Sequence, residues 1–161
     1  MPQRCPVPAE QQPLNEYQDV QESWFYGWGS RDLTGYLKPL IVLWLAGGAV
    51  AGPMAAASFM PAKHPLLFSL SAAMGALVLP LLALLQLYVG WAHVGGRLRQ
   101  TTVPYEESGW YDGQLWVKPE DVSNRDRLIV DYQVQPVLRR IRRTLGGMAL
   151  LLALGLILWP R

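Results

Sequence analysis

The stretch HPLLFSLSAAMGALVLPLLALLQLYVGWAHVGG, residues 64–96, decides the fold class, because it contains no Asp, Glu, Lys or Arg. Two further uncharged stretches occupy residues 39–62 and 144–160. A helix rises about 1.5 Å per residue, so crossing a hydrocarbon core of roughly 30 Å takes about 20 apolar residues, with about 17 as the lower limit. All three stretches reach that limit. The sequence therefore predicts an all-α membrane protein with three transmembrane helices, at residues 36–62, 65–96 and 144–160.

The composition agrees with a membrane protein of one domain. Charged residues make up 16% of the 161 residues, against about 25% in a soluble domain. A soluble fold would have to bury three apolar helices under too little polar surface. The polar arm, residues 1–35, lacks the apolar core of a cleavable signal peptide, so we expect the first membrane helix to direct targeting. A single cysteine, Cys5, excludes an intramolecular disulfide, but it could bind a metal shared with a partner or respond to redox state.

The distribution of basic residues predicts the orientation. Three crossings place the arm and the second loop, residues 97–143, on the same side of the membrane. Together with Lys38, which directly precedes the first uncharged stretch, these two segments hold all Lys and Arg except Lys63 and Arg161, which is twelve of the 14 in the chain. Because cytoplasmic segments are enriched in Lys and Arg, we expect the arm and the loop on the cytoplasmic or stromal side, and the C-terminus in the lumen.

Small residues and prolines within the uncharged stretches predict how the helices pack. Two pairs have the small-xxx-small spacing that allows close backbone approach, namely Gly48 with Gly52 and Ser71 with Gly75. Pro53 and Pro80 are expected to kink or break their helices. Aromatic residues near the predicted helix ends are expected at the membrane interface: Tyr36, Trp44, Tyr88, Trp91 and Trp159.

The second loop predicts a small cytoplasmic cap, built from a hairpin or ordered loop followed by a helix. Residues 101–105 and 114–117 are rich in β-branched and aromatic residues, and the turn signal Asp112-Gly113 lies between them. The sequence SNRD at residues 123–126 is typical of a helix N-cap. The helix that it opens is expected to continue, bent at Pro136, into the third crossing.

Basic and aromatic residues of the arm and loop are the candidate binding residues. We expect four arginines at the membrane surface, where anionic lipid attracts each charge by about 1 kcal/mol: Arg139, Arg140, Arg142 and Arg143. Aromatic residues and arginine dominate interaction hot spots. The predicted partner-binding residues are Trp24, Trp28, Tyr105, Trp110, Tyr111, Trp116, Arg125 and Arg127. The arm aromatics could instead pack on the loop or lie at the lipid headgroups.

His93 and Gln86 in the second crossing are candidate ligands for chlorophyll magnesium or another metal. Polar residues in membrane segments are functional candidates, although His93 near the interface could simply form hydrogen bonds. The only other histidine, His64, is expected on the opposite side, which argues against a bis-histidine haem.

Loop carboxylates are the remaining candidates for a metal or an acid–base site: Glu106, Glu107, Asp112, Glu120, Asp121 and Asp126. The alternative is that they pair with arginines of the same loop, Arg97, Arg99, Arg125 and Arg127. No phosphate loop, nucleophile elbow, zincin helix or calcium loop is present. The sequence therefore predicts a protein that is not an enzyme.

Four motifs resemble those of a known family: CPVPAEQQPLNEY at residues 5–17, VPYEESGWYDGQ at 103–114, RDRLI at 125–129 and YQVQP at 132–136. Nearly the whole chain is similar to the green-lineage-and-diatom family of cyanobacterial and plastid membrane proteins, known as a hypothetical chloroplast reading frame and a domain of unknown function. The resemblance implies a thylakoid or plastid membrane and a role in building or maintaining photosynthetic complexes.

The expected function is that of a non-catalytic accessory or assembly factor that binds photosynthetic subunits or assembly intermediates through its cap. The expected partners are these proteins and the lipid bilayer, with no nucleic acid and no required cofactor. The first alternative is a pigment- or metal-handling protein that uses His93 or the loop carboxylates. The second is a membrane enzyme.

Overall fold

The computed structural model describes residues 6–106 and 113–159, and the chain is mostly helical, at 78%. It begins with a 3-10 helix at Ala9–Gln11, helix α1 at Pro13–Glu22 and a second 3-10 helix at Gly27–Ser30. The remaining elements are α2 (Leu33–Ser58), α3 (Pro65–Ala76), α4 (Val78–Arg99), β1 (Thr102–Tyr105), β2 (Gln114–Val117), α5 (Glu120–Ile129), a π-helical segment (Val130–Val134) and α6 (Gln135–Ile157).

Two stretches of the described chain are long and apolar enough to cross a membrane, Leu33–Ser58 with 26 residues and Pro65–Arg99 with 35. Only 11% of each apolar window is buried within the protein, whereas a core helix of a soluble domain would be mostly buried. These candidate spans coincide with the first two predicted crossings. The third predicted crossing, residues 144–160, falls on α6, which does not meet the same length and composition criteria over the described residues.

The chain divides into two compact units. The first unit comprises Met1–Gly27 and Val89–Arg139, and the second comprises Trp28–Tyr88 and Arg140–Arg161. The first therefore contains α1, the hairpin and α5, and the second contains α2 and α3.

Helix α2 of the second unit begins at Leu33, three residues before the predicted start, because Asp32 caps it. The Asp32 carboxylate accepts a hydrogen bond from the Gly35 amide at 3.1 Å. Hydrogen bonds from the Thr34 hydroxyl and the Gly35 amide hold the pKa of Asp32 below its ordinary value. The cap satisfies a donor that would otherwise be unpaired at the helix start.

The helices α2 and α3 approach closely at Gly47 and Gly75. A Cβ on Gly47 would lie 2.6 Å from the Ala76 carbonyl oxygen, and one on Gly75 would lie 2.7 Å from the Ala51 Cβ. Of the predicted pair, Gly48 also faces α3, since its Cβ would lie 3.7 Å from the Ala76 Cβ, whereas a Cβ on Gly52 would meet no atom within 4 Å. The closest approach on α2 is made by Gly47 and Ala51, which have the same spacing and lie one residue earlier in the chain.

The two predicted proline positions behave differently from each other. Pro53 does not break α2, which continues to Ser58. The break in the second candidate span lies at Leu77, and Pro80 is the third residue of α4. Proline is tolerated in the first helical turn because the amide that it lacks has no partner there. The expected break therefore occurs three residues before Pro80.

The predicted hairpin is confirmed as an antiparallel pair of β1 and β2 in the first unit. Thr102 pairs with Val117 and Pro104 pairs with Leu115, in a register that alternates faces along both strands. On the inner face, Val103 and Tyr105 are buried in a small core with Val7 from the arm. The turn signal Asp112-Gly113 lies at the edge of the described chain, since residues 107–112 are outside it.

The helix after the hairpin begins at Glu120 rather than at Ser123, so the predicted N-cap is wrong. The Ser123 amide already donates to the Pro119 carbonyl at 3.0 Å, one turn into α5. Glu120 and Asp121 occupy the first turn, where negative charge is favoured by the helix dipole. Pro119 and the acidic residues Glu120 and Asp121 therefore determine where α5 begins.

Helix α5 continues through the π-helical segment into α6, as predicted. The Gln135 amide bonds to the Val130 carbonyl, five residues back, directly before Pro136. A proline clashes with the carbonyl four residues earlier, and π turns are one of the recognised ways that a helix adjusts locally. The irregularity predicted at Pro136 therefore takes the form of a wider turn just ahead of it.

Candidate functional site

Two of the predicted partner-binding aromatics, Tyr105 and Trp116, lie on the inner face of the hairpin. Tyr105 is buried, and its hydroxyl donates to the Gln114 side-chain carbonyl at 2.6 Å. Trp116 is partly buried against the core of Val7, Val103 and Tyr105. Tyr105 therefore stabilises the hairpin and is not available as an exposed contact. Trp110 and Tyr111 lie outside the described residues.

The arm aromatics Trp24 and Trp28 differ in burial. Trp24 is 85% exposed and contacts the edge of Phe25, with ring centroids 5.7 Å apart. Trp28 is buried in the second unit against Tyr36, at 5.4 Å. The arm residue that fills the hairpin core is the smaller Val7. Tyr36 is itself buried and does not face lipid, contrary to the expectation for an interfacial ring.

The Gln11 side chain links the arm to the hairpin through two hydrogen bonds to the backbone of Glu106. The Glu106 amide donates to Gln11 Oε1 at 3.0 Å, and Gln11 Nε2 donates to the Glu106 carbonyl at 3.2 Å. A carboxamide offers one donor and one acceptor to a backbone residue, as a paired strand does. Gln11 therefore extends the pairing of β1 by one residue toward the arm.

Arginines at the end of α4 pair with acids other than those predicted. Arg97 Nη1 lies 2.6 Å from Glu16 Oε1, and its Nη2 donates to the Gln11 carbonyl at 3.2 Å. Arg99 pairs with Asp131 at 3.2 Å. Neither Glu16 nor Asp131 belongs to the loop acids expected for them. Arg97 therefore fastens α1 to the end of α4 inside the first unit.

Trp91 on α4, which was expected among the interfacial aromatics, is buried. Its indole N–H donates to the Tyr26 carbonyl at 3.0 Å, and its ring meets the edge of Tyr17 at 6.2 Å. The Tyr17 hydroxyl in turn donates to the Gln133 side chain. Burial raises the pKa of Tyr17. These contacts join α1, α4 and the π-helical segment.

The outer face of the hairpin carries exposed apolar side chains. Leu115 is 72% exposed and Val117 is 66% exposed, and their cross-strand partners Pro104 and Thr102 are also exposed. An antiparallel sheet with one packed face usually presents polar residues on the other. This outer face, which consists of Thr102, Pro104, Leu115 and Val117, is therefore a candidate interaction surface.

The two predicted loop arginines lie on α5 with exposed side chains. Arg125 Nη2 donates to Asp126 Oδ1 at 3.2 Å, so this predicted acid–arginine pair is present. Arg127 is exposed. Asp126 itself is buried and is also paired with Lys118. Glu106, Glu120 and Asp121 are exposed, and Glu107 and Asp112 lie outside the described residues.

The predicted ligand residues His93 and Gln86 are both exposed on α4. Within residues 6–106 and 113–159, no three His, Cys, Asp or Glu side chains group in a way that could hold a metal ion. Cys5 lies outside the described residues.

Of the four predicted membrane-surface arginines, Arg139, Arg142 and Arg143 are exposed on α6. Arg140 is positioned by contacts within the second unit. Its Nη1 donates to the Arg31 carbonyl at 2.6 Å, and its guanidinium lies over the Tyr36 ring, 5.4 Å from the centroid. The Tyr36 hydroxyl bonds to Thr144, one turn along α6, at 2.9 Å. This network fixes the start of the apolar part of α6.

The two units contain cavities of different character. An apolar cleft of about 460 Å³ lies in the second unit between α2 and the α3–α4 junction, beside Gly47, Ser71 and Gly75. A smaller cavity of about 220 Å³ lies in the first unit, beside Lys118 and Asp126. Ser71, predicted as a packing residue, donates its hydroxyl to the Leu67 carbonyl at 2.7 Å.

The residues that sequence reasoning missed are Gln11, Glu16 and Lys118. Each is polar, and each gains its role from partners that are distant in the chain, such as Glu106 for Gln11. No local pattern marks them. The outer face of the hairpin could have been predicted from the sequence. Successive side chains of a strand point to opposite faces, so Leu115 and Val117 lie on the face opposite Trp116.

Comparisons with known proteins agree with the sequence motifs. The sequence profile of the family described as "CGLD27-like: Conserved in the green lineage and diatoms 27" matches residues 5–147. The chloroplastic protein of that name from Arabidopsis thaliana is 46% identical over 154 residues, 95% of this chain, and the chain spans 47% of that relative's length.

Two relatives called uncharacterized protein ycf36 match over most of both chains. The one from Porphyra purpurea is 41% identical over 92% of this chain and 90% of its own length. The one from Cyanophora paradoxa is 42% identical over 96% and 97%. No solved structure matches the chain significantly. The chain belongs to the CGLD27-like family, conserved in the green lineage and diatoms.

Proposed function

We propose that this protein is a non-catalytic accessory or assembly factor of photosynthetic membrane complexes, anchored in the thylakoid or plastid membrane. Its first unit acts as the cytoplasmic or stromal cap and docks on a complex subunit or assembly intermediate. The chloroplastic relative and the two candidate spans support a plastid membrane. The long motifs of the arm and loop fall in the proposed cap.

The observation that carries this proposal is the exposed apolar outer face of the hairpin. Its inner face is occupied by the arm, whereas Leu115 and Val117 on the outer face remain exposed among the described residues. Apolar patches rimmed by polar residues mark binding surfaces. The hydrogen bonds of Gln11 and the burial of Val7 hold the hairpin to the arm. A surface that is ordered before binding loses little conformational entropy when it binds.

A third crossing by α6 is part of the proposal. The apolar part of α6 begins at Thr144, and its side chains near the end are largely exposed: Leu150, Leu151, Leu154, Leu156, Ile157 and Leu158. In water this surface would be unfavourable, whereas lipid would cover it. The arginines at the start of α6 can extend to the headgroups while their stems remain in the apolar layer.

The test is co-purification from the photosynthetic membranes of the organism. Replacing Leu115 with Ser and Val117 with Thr removes apolar area outside every predicted crossing, so insertion should be unchanged. Loss of an apolar anchor is expected to weaken recovery of photosynthetic subunits by tenfold or more. The matched control is Leu128→Ser, an exposed leucine of α5 outside the hairpin.

Full recovery of photosynthetic subunits with the hairpin variant would overturn docking through this face. An equal loss of subunit recovery in the hairpin variant and in Leu128→Ser would also overturn docking through this face. The effect would then follow from the loss of exposed apolar area anywhere in the first unit. Absorbance of the purified protein tests the pigment-handling alternative: a chlorophyll band that disappears in His93→Ala would favour that reading.

A further inference from the structure

The small cavity of the first unit has a charged wall that the docking proposal does not use. It has a volume of about 220 Å³ and is lined by Gln12, Trp116, Lys118, Val122, Arg125 and Asp126, with two further arm residues. We infer that this cavity binds a single carboxylate group, presented as the Asp or Glu side chain of a protein partner. The partner assignment rests on the proposed docking function, whereas the carboxylate site itself does not.

The back of the cavity is a buried ion pair. Lys118 Nζ lies 2.7 Å from Asp126 Oδ2, and both side chains are at most 2% exposed. Lys118 also donates to the carbonyls of Leu98 at 3.1 Å and Arg97 at 3.4 Å, at the C-terminal end of α4, so its three donors are occupied and it contributes charge alone. The lysine is thus held by an acid and by a helix end that favours cations. It supplies positive charge without being free to move.

Arg125 adds a second cation at the mouth of the cavity. Its side chain is 52% exposed, and in the described part of the chain its guanidinium uses one donor, toward Asp126. A guanidinium has five donors in a planar fork. The remaining donors face solvent or the cavity and suit a planar carboxylate.

The charges of the lining residues favour a monoanion. Lys118 and Arg125 contribute two positive charges and Asp126 contributes one negative charge, which leaves one positive charge uncompensated. A carboxylate neutralises it. A phosphate carries about −1.5 to −2 at pH 7 and would be repelled by Asp126 once the single charge is satisfied.

The size and the walls of the cavity favour a side chain over a larger molecule. Pockets for drug-sized ligands have volumes of about 300–1,000 Å³, so 220 Å³ is too small for them. Trp116 and Val122 offer apolar contact to the methylene groups of an acidic side chain. A Glu or Asp on a partner fits both the charge and the volume.

The site is tested with the full-length protein in detergent. The probes are N-acetyl-glutamate amide, the isosteric N-acetyl-glutamine amide and inorganic phosphate, and the readout is the indole N–H signal of Trp116 in a ¹H–¹⁵N spectrum. We expect a saturable shift at millimolar glutamate derivative, with binding at least tenfold weaker for the glutamine derivative and for phosphate. Arg125→Gln should weaken glutamate binding tenfold or more.

Matched variants separate the site from general electrostatics and from misfolding. Arg127→Gln removes the same charge from the same helix and should change binding less than twofold. Arg125→Lys keeps the charge but loses the planar fork, so it should fall between the wild type and Arg125→Gln. Unchanged circular dichroism shows that each variant is folded.

Three results would overturn the inference: equal binding of the glutamate and glutamine derivatives, tighter binding of phosphate, or equal loss in Arg125→Gln and Arg127→Gln. These measurements use the isolated protein, so an absence of carboxylate binding would not contradict docking through the hairpin. Conversely, if the probes bind as expected but Arg125→Gln leaves co-purification unchanged, the assignment to a partner's side chain is wrong.

Discussion

The Lys118 ammonium lies 2.7 Å from the Asp126 carboxylate, and the side chains are 1% and 2% exposed. The same ammonium reaches the carbonyl of Leu98 at the end of α4. One buried lysine therefore joins the end of β2, the end of α4 and the middle of α5. The first unit depends on this contact because three of its elements meet there.

Breaking this pair should destabilise the first unit strongly. Asp126→Asn keeps the size of the side chain but leaves a buried ammonium without its counter-charge, which typically costs about 3–5 kcal/mol. The measurement is the free energy of unfolding in detergent by denaturant titration. The double variant Lys118→Met with Asp126→Leu removes both charges, so its free energy of unfolding should fall much less. A loss below about 1 kcal/mol in Asp126→Asn would show that the pair is not buried as described.

Glycines on α2 should differ sharply in their tolerance of alanine. Gly47→Ala places a methyl group 2.6 Å from the Ala76 carbonyl oxygen, a backbone atom that cannot rotate away. We expect destabilisation by about 1–3 kcal/mol, as for overpacked sites. Gly52→Ala is the control, because its Cβ meets nothing within 4 Å and alanine favours the helix. Thermal midpoints in detergent measure both, and equal effects would contradict the observed rotation of α2.

Alkaline pH should weaken the first unit through Tyr17. Burial raises the pKa of Tyr17 above its ordinary value of 10.0, so the folded state favours the protonated hydroxyl. This contribution is fully present below about pH 10 and is lost as the pH rises through the higher folded pKa. The gap in stability between the wild type and Tyr17→Phe should therefore shrink above pH 10. A gap that is constant from pH 8 to 11 would count against a buried hydroxyl.

The proposed topology predicts which parts of the chain face the stroma or cytoplasm. Reporter fusions at the N-terminus and near Gln114 should be active on that side, and a fusion after Arg161 should be active on the other. The basis is the accumulation of Lys and Arg in the arm and loop, which together with Lys38 account for twelve of the 14 basic residues. A protease-protected Gln114 region in vesicles that expose the cytoplasmic face would reverse the orientation.

Local patterns predicted the elements well. The uncharged stretches at residues 39–62 and 64–96 correspond to the two candidate spans, and the residues of β1 and β2 were identified from their β-branched and aromatic content. The helix boundaries were less accurate. Ser123 and the residues after it matched an N-cap pattern, but the acids of an earlier turn compete for the same role and begin α5 at Glu120.

The sequence by itself determined where apolar segments lie, where the strands form and to which family the chain belongs, because these depend on neighbouring residues. Only the tertiary structure decided which side chains are buried. Tyr105 and Trp116 looked like binding residues, yet Val7, almost a hundred positions away, covers them. Lys118 looked like an ordinary loop cation, yet Leu98 and Asp126 surround it. Burial and pairing come from partners that are distant in the chain, and no local pattern of residues encodes them.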